Sequence, residues 1–454
     1  METLRTSSYI IPVKQEKEEG KYMLIHGYTG AIDIVTESLL EKIKSIDKGH
    51  DFSESMLQTL LKRGYITTKT QEEEYAYTSR IVNTLHKEAK ALYKTFTIIV
   101  TYKCNFRCPY CFEGRSMKDN DASCTITPDK VDKFYSCIEE LAPYEALRNK
   151  TITLYGGEPL LAENRDIIKY IVYQGKRRGY NFCAITNGYD LDHFIDLLSP
   201  ELIKRVQITI DGTKEYHNQK RIHYKGYDTF NRIIANVKLA LEKKVTVIIR
   251  VNNDNNNVDD FVRLKEYFEK QGFFNYPTFH LYSILLWNSK SITEKEHQSL
   301  DFLTPTTYLS KHREMGTLKL GKDFGVAQRI YKALVEGKPI PFRAVYCSSQ
   351  VGEHIFDPYG NIYPCWEMVG NKDYLIGNYG GNKIIWNEEK LQSWRNYNIT
   401  ANPYCRTCKY ALFCGGGCVA HIMAGNREDC IYFKTMFKNS VNRAFERKLI
   451  NNHV

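Results

Sequence analysis

Three cysteines in one short stretch, TYKCNFRCPYC over residues 101–111, carry the first chemistry. Cys104, Cys108 and Cys111 have the spacing C-x3-C-x2-C, and three thiolates so placed can hold three corners of a cubane iron–sulfur cluster, leaving its fourth iron open. Zinc is the competing reading, but a zinc site closes its tetrahedron with a fourth Cys or His at short range. The next cysteine, Cys124, lies in a Ser/Thr/Asp-rich stretch. Seven more crowd the C-terminal region: Cys347, Cys365, Cys405, Cys408, Cys414, Cys418 and Cys430. Cys137 falls in a helical pattern and Cys183 in a strand, both as small buried residues. The N-terminus lacks the apolar core of a secretory signal, so the cytosol is expected, where thirteen cysteines mean metal or redox sites rather than disulfides.

The elements that must position these residues follow from periodicity. Short β-like runs (SYIIPV, KYMLIHG, AIDIV) precede two helical patterns, TESLLEKIKSI and SESMLQTLLKRG, each opened by a capping Thr or Ser, and together they predict a winged-helix-like unit over 1–70. A charged linker helix (71–94) follows. Over 95–310, six β-rich runs alternate with helical segments, including one near 191–198, which implies a partial parallel α/β barrel. Such folds work at the carboxyl ends of their strands, where Cys104, Gly156, Asn187, Asp211 and Asn252 fall. A bridging segment (311–345) leads to the cysteine-rich region, 346–454. The net charge of +10 favours acidic partners in general, and no apolar run reaches the length of a membrane span.

The cysteine loop, with Tyr110 before its third cysteine and Phe112 after it, resembles that of the radical S-adenosylmethionine (SAM) superfamily, in which SAM chelates the open iron. Tyr155-Gly156-Gly157-Glu158-Pro159 resembles that family's GGEP segment, and the resemblance implies that this strand end and Glu158 receive the SAM ammonium. Asn187, Gln207, Asp211, Arg250 and Asn252 match later strand ends that line SAM in relatives. The C-terminal spacing, Cys405-x2-Cys408-x5-Cys414-x3-Cys418 and then Cys430, resembles the SPASM extension of peptide-modifying radical SAM enzymes. By that resemblance Cys405, Cys408, Cys414 and Cys430 ligate one auxiliary [4Fe–4S] cluster, while Cys347, Cys365 and Cys418 hold another. The expected fold is therefore a partial (β/α)6 radical SAM barrel between an N-terminal peptide-recognition domain and a C-terminal SPASM domain, with three [4Fe–4S] clusters. RAVYCSSQVGEH supplies no further cysteine for the second auxiliary cluster, whose open iron could take a substrate thiolate unless Cys124 or a non-cysteine ligand reaches it.

These resemblances imply a maturase of ribosomally made precursor peptides. A 5′-deoxyadenosyl radical removes hydrogen from a peptide carbon, and a cysteine of the same peptide bonds there, giving the thioether of sactipeptides and ranthipeptides. The partners implied are a precursor with a leader and a Cys-containing core, and an electron donor such as a flavodoxin or ferredoxin. The rivals are another radical outcome on a peptide (a carbon–carbon crosslink, an epimerisation, formylglycine formation) and a zinc-stabilised winged-helix regulator that binds nucleic acid. No general base stands out, and His280, His354 and His421 stand alone in the sequence.

Overall fold

The computed structural model describes residues 4–49, 51–113, 124–145, 148–287, 300–323, 325–423, 425 and 428–451. The chain forms two compact units, one of residues 1–91, 323–350 and 396–454, the other of 92–322 and 351–395.

In the first unit, strands β2 (Ile10–Lys14), β3 (Lys21–His26) and β4 (Ile32–Thr36) make an antiparallel meander in the order β2-β3-β4. Strand side chains alternate in direction, so the sheet presents two apolar faces. Ile10 and Leu24 pack with Leu40 and Ile43 of the helix Glu37–Lys44, with Leu60 of the helix Glu54–Arg63, and with Tyr65 just beyond it. Thr36 and Ser53 cap those helices as the sequence predicts, accepting from Leu39 N–H and Met56 N–H. Ile11, Val13, Met23 and Ile25 face the other way, into a core with Ile330, Phe413 and Phe437. The helix Glu428–Asn451 supplies Phe433, Phe437, Val441 and Phe445, one face at four-residue spacing. Short strands β1 (Arg5–Thr6) and β5 (Ile66–Thr67), absent from the sequence reading, pair antiparallel.

The helix Gln71–Leu92 is fastened to this sheet by one buried carboxylate. Glu74 accepts from Ser7 Oγ at 2.6 Å, Ser8 N–H at 2.9 Å, Arg5 Nη2 at 2.6 Å and Tyr28 Oη at 3.1 Å. Burial works to raise its pKa, but these donors outweigh burial and hold it below the usual carboxylate range. His26 completes the group, with Nε2 3.0 Å from Ser7 Oγ and Nδ1 accepting Thr29 N–H at 3.1 Å. Its burial pushes its pKa down to about 4.

The second unit is built on a ten-stranded sheet, β11-β10-β9-β8-β7-β6-β12-β13-β14-β15. The six strands β6 (Thr95–Thr101), β7 (Thr151–Gly156), β8 (Asn181–Thr186), β9 (Ile203–Thr209), β10 (Thr246–Asn253) and β11 (Phe279–Leu285) are parallel, in sequence order. β6 is buried from Phe96 to Thr101 and centres on the apolar run Ile98-Ile99-Val100, whereas burial in β10 alternates over its first half. Helices Pro128–Leu141, Arg165–Arg177, Phe230–Glu242 and Phe261–Lys270 form crossovers. The segment expected to be helical near 191–198 is only a 3-10 turn, Leu191–Phe194.

The sequence does not reveal that strands beyond residue 350 extend this same sheet. Strand β12 (Glu353–Phe356) runs parallel to β6, and β13 (Asn361–Tyr363), β14 (Gly377–Asn378) and β15 (Ile385–Trp386) continue antiparallel. Glu353 seals the junction through the hydroxyls of Thr95 and Thr97, the latter at 2.9 Å. A six-stranded open sheet leaves the β6 edge unpaired, and β12 covers it. No helix among the described residues is long and apolar enough to cross a membrane.

Candidate functional site

The cysteine loop leaves β6 at the carboxyl ends of the parallel strands and is held there by backbone pairing. Arg107 N–H donates to Ile222 O at 2.7 Å, Tyr224 N–H to Asn105 O at 3.0 Å, and Asn187 Nδ2 to Asn105 Oδ1 at 2.7 Å. Gly157 N–H reaches Thr101 O at 3.0 Å and Glu158 N–H reaches Lys103 O at 2.8 Å. This approach requires glycine. A Cβ on Gly156, whose φ is +135°, would stand 2.2 Å from Thr101 O, and one on Gly157 would stand 2.4 Å from Tyr102 O.

A cavity of about 860 Å³ opens beside this loop. Cys104, Cys108, Cys111, Gly156, Gly157, Glu158 and Asn187 all line it, as the sequence predicts. Burial pushes the three thiols up, Cys111 to about 12, so they would be thiolates at neutral pH only beside added positive charge. Three sulfurs of this kind round one cavity suit a cationic iron–sulfur cluster.

Glu158 is buried and braced. Its carboxylate accepts Leu160 N–H at 2.9 Å, Thr186 Oγ1 at 2.6 Å and Asn187 N–H at 2.5 Å, locking the end of β7 to that of β8. Burial raises its pKa to about 7 against the pull of those three bonds. Tyr110, Asp211, Asn252 and Arg250 form a chain of bonds that links strand ends to the loop, and Gln207 stands apart from it. Tyr110 Oη donates to Asp211 Oδ2, Asp211 Oδ1 accepts Asn252 N–H at 2.9 Å, and Arg250 Nε donates to Asn252 Oδ1 at 2.9 Å. Gln207 Oε1 accepts Tyr282 Oη at 3.2 Å.

Two cavity residues escaped the sequence reading. Arg221 lines the cavity, donates to Tyr110 Oη at 3.3 Å, and has a buried Nε with no hydrogen-bond partner. Burial would lower its pKa, yet Cys108, Tyr110 and Asp211 outweigh burial and keep it charged. Glu113 is buried too, its Oε1 unpartnered and its pKa raised by burial to about 7. Neither has a sequence signal: Arg221 ends a charged helical run, NQKR, and Glu113 simply follows CF.

The first unit gathers the other thiols it contains. Cys414 is pushed up to about 12 by burial, with Cys405 and Cys430 adding to the effect, and Cys408 is raised by burial and by Cys430. These four sulfur donors fit one fully ligated cluster. Cys414 and Cys418 are joined by Gly415, Gly416 and Gly417, all with positive φ (86°, 97° and 84°), and a Cβ on Gly415 would meet Val345 O at 2.2 Å. Burial raises the Tyr346 hydroxyl pKa, as do Asp429, Cys418, Cys414 and Cys347 around it. Cys365 lies in the second unit. Cys137 and Cys183 are buried, as expected, and Cys124 and Cys137 both act electrostatically on Tyr379.

Comparison with known proteins agrees with this geometry. Residues 98–268 match the radical SAM superfamily, and residues 347–409 match the SPASM iron–sulfur cluster-binding domain. The chain is 25% identical over 359 residues to a cysteine-type anaerobic sulfatase-maturating enzyme of Clostridium novyi, covering 75% of this chain and 93% of that one. It is 20% identical over 489 residues to the radical SAM cyclopropyl synthase TigE of Paramaledivibacter caminithermalis, covering 97% and 96%. Its fold is similar to that of the enzyme anSMEcpe solved with AdoMet and the Cp18Cys peptide (TM-score 0.55, 18% identity, 79% of this chain and 99% of that one) and to Streptococcus suis SuiB (TM-score 0.50, 13% identity, 94% and 98%). The cysteine loop at the mouth of a parallel α/β sheet thus belongs to a radical SAM domain, and the second cysteine-rich region to a SPASM iron–sulfur cluster-binding domain.

Proposed function

We propose that this enzyme modifies a ribosomally made precursor peptide and that the modification is a thioether crosslink between a cysteine sulfur and a carbon of the same peptide. When bound, SAM and its iron–sulfur partner would supply a 5′-deoxyadenosyl radical for hydrogen abstraction. The chain's part is placement. Cys104, Cys108 and Cys111 would hold the cluster, the Arg221 guanidinium offers its unpartnered Nε–H to an anionic group such as the SAM carboxylate, and Asn187 and the Gly156–Gly157 backbone line the place for the rest of the cofactor. Glu158 and Asp211 keep the strand ends and the loop in register rather than moving protons.

A peptide substrate is supported by anSMEcpe, whose structure holds a peptide, and by the sulfatase-maturating relative. The N-terminal three-stranded sheet has two edge strands, β2 and β4, and an extended leader would add to one of them. The observation carrying the thioether reading is the sulfur inventory. Three cysteines line the cavity and the resemblance reserves Cys405, Cys408, Cys414 and Cys430 for one cluster, which leaves Cys347 and Cys418 of the first unit short of a full thiolate set, with a position for another ligand. A peptide thiol can enter that position as thiolate. Forming the C–S bond removes one hydrogen from carbon and one proton from sulfur and returns one electron, so each crosslink lowers the peptide mass by two hydrogens.

TigE, whose name denotes a cyclopropyl product, keeps carbon–carbon bond formation as the second reading. Anaerobic co-expression with a Cys-containing precursor, then reduction, alkylation and high-resolution mass measurement, separates the two. A mass lower by two hydrogens with the cysteine refusing alkylation, lost on a substrate Cys→Ser change, is the expected result. A two-hydrogen loss that survives Cys→Ser would replace the thioether with the carbon–carbon bond.

A further inference from the structure

One group of metal-binding atoms in the first unit is not accounted for by cysteines alone. The Sγ of Cys418, a ring nitrogen of His421 and a carboxylate oxygen of Asp429 lie within 4.8 Å of one another. They come from two local elements. Cys418 directly precedes the short helix Val419–Met423, so His421 stands three residues on and on the same side, while Asp429 lies in the first turn of Glu428–Asn451. The side chains of His421 and Asp429 are 11% and 10% exposed.

The hydrogen bonds orient the imidazole. His421 Nδ1 is 2.9 Å from Asp429 Oδ2, and the same oxygen accepts the backbone N–H of Cys418 at 3.3 Å. A carboxylate only accepts, so Nδ1 carries a proton, and in the neutral ring the lone pair is then on Nε2. A carboxylate fixing one ring nitrogen so that the other can bind a metal is the usual support of a histidine ligand. Asp429 in turn is positioned by the residue whose sulfur would be the neighbouring ligand.

We propose that His421, through Nε2, is the non-cysteine ligand at the auxiliary-cluster site to which Cys418 contributes, with Asp429 as its positioning residue. This rests on reading Cys418 as a cluster ligand, and not on the thioether product. Two consequences follow. A neutral imidazole in place of a fourth thiolate makes the cluster less negative and raises its potential, as histidine ligation does in other iron–sulfur centres. The fourth position is also filled in the resting enzyme, so a substrate thiolate enters by displacing imidazole rather than by adding to an open iron.

The test uses the anaerobically prepared holoenzyme, labelled with 15N-histidine, reduced without added SAM and examined by pulsed EPR. A strongly coupled nitrogen that changes with the label, and that is lost in His421→Cys while the iron content is kept, is the expected result. Absence of histidine coupling in the unsubstituted enzyme would overturn the proposal, as would a coupling that persists in His421→Cys. His421→Cys guards against a trivial loss of folding, because a thiolate there restores a ligand without restoring the nitrogen. The auxiliary potentials of His421→Cys should shift to more negative values. Asp429→Asn should keep the iron and alter the nitrogen coupling, and a spectrum identical to that of the unsubstituted enzyme would remove Asp429 from the assignment. None of these readouts needs a peptide product, so failure here and failure of the thioether reading are distinct.

Discussion

The geometry of the cavity depends on two glycines, and Gly157→Ala tests that dependence directly. The added Cβ would lie 2.4 Å from Tyr102 O and 2.5 Å from Lys103 O, both backbone atoms that cannot rotate away. Ordinary contact begins near 3.4 Å, so the cysteine loop and the end of β7 must separate by roughly 1 Å. That separation breaks the bonds from Gly157 N–H to Thr101 O and from Glu158 N–H to Lys103 O. Two buried backbone bonds at about 1 kcal/mol each, with the overlap strain added, give about 2–4 kcal/mol. For a unit of this size the melting temperature should fall by roughly 3–7 °C. Because Cys104 follows Lys103 in the displaced segment, iron bound by a variant lacking the C-terminal cysteines should fall as well. Gly381→Ala is the control, since the nearest atom to its Cβ is 3.9 Å away. Differential scanning calorimetry and anaerobic iron analysis of both variants decide the matter, and a Gly157→Ala protein that melts and binds iron like the control would refute the steric argument.

Four further outcomes follow. The first unit should lose stability as pH falls from about 6.5 through 4: His26 has its folded pKa depressed to about 4, so its contribution is complete above the unfolded value, and protonation removes up to about 3 kcal/mol. Chemical denaturation across that range should show this acid sensitivity, reduced in His26→Gln. Arg221→Gln should weaken SAM binding by roughly 10- to 100-fold through loss of a charged hydrogen bond, measured by equilibrium dialysis on reconstituted enzyme, with the melting temperature little changed. Cys414→Ala should remove about four irons per chain and leave the cavity cluster able to cleave SAM. Adding a Cys-containing precursor should erase the histidine nitrogen coupling, and the Cys→Ser precursor should not.

Much of the site was legible in one dimension because its chemistry is local. Cys104, Cys108 and Cys111 sit on one loop, whose spacing points to a cluster, and Gly156, Gly157 and Glu158 on one strand exit, which the resemblance to the GGEP segment picks out. Residues whose roles depend on distant partners were not legible. Arg221 matters because segment 222–224 pairs with segment 105–107 across the sheet mouth, and nothing in NQKR announces that. Glu158 was expected to receive a cofactor and lines the cavity, but its grip on Thr186 and Asn187, residues nearly thirty away, was not legible.

The sequence by itself determined the six barrel strands, four of the helices between them and the carboxyl-end placement of the cysteine loop, because hydrophobic period and ligand spacing are properties of neighbouring residues. Only the tertiary structure decided that residues 353–386 extend the barrel sheet rather than standing apart from it. It alone packed the second face of the N-terminal sheet against the final helix. It alone turned His421, a lone histidine shortly after three glycines, into the partner of Cys418 and Asp429. The physical reason is the same in each case: edge pairing, burial of a second apolar face and convergence of ligands are all satisfied by whichever segment arrives in space, and sequence distance carries no record of that arrival.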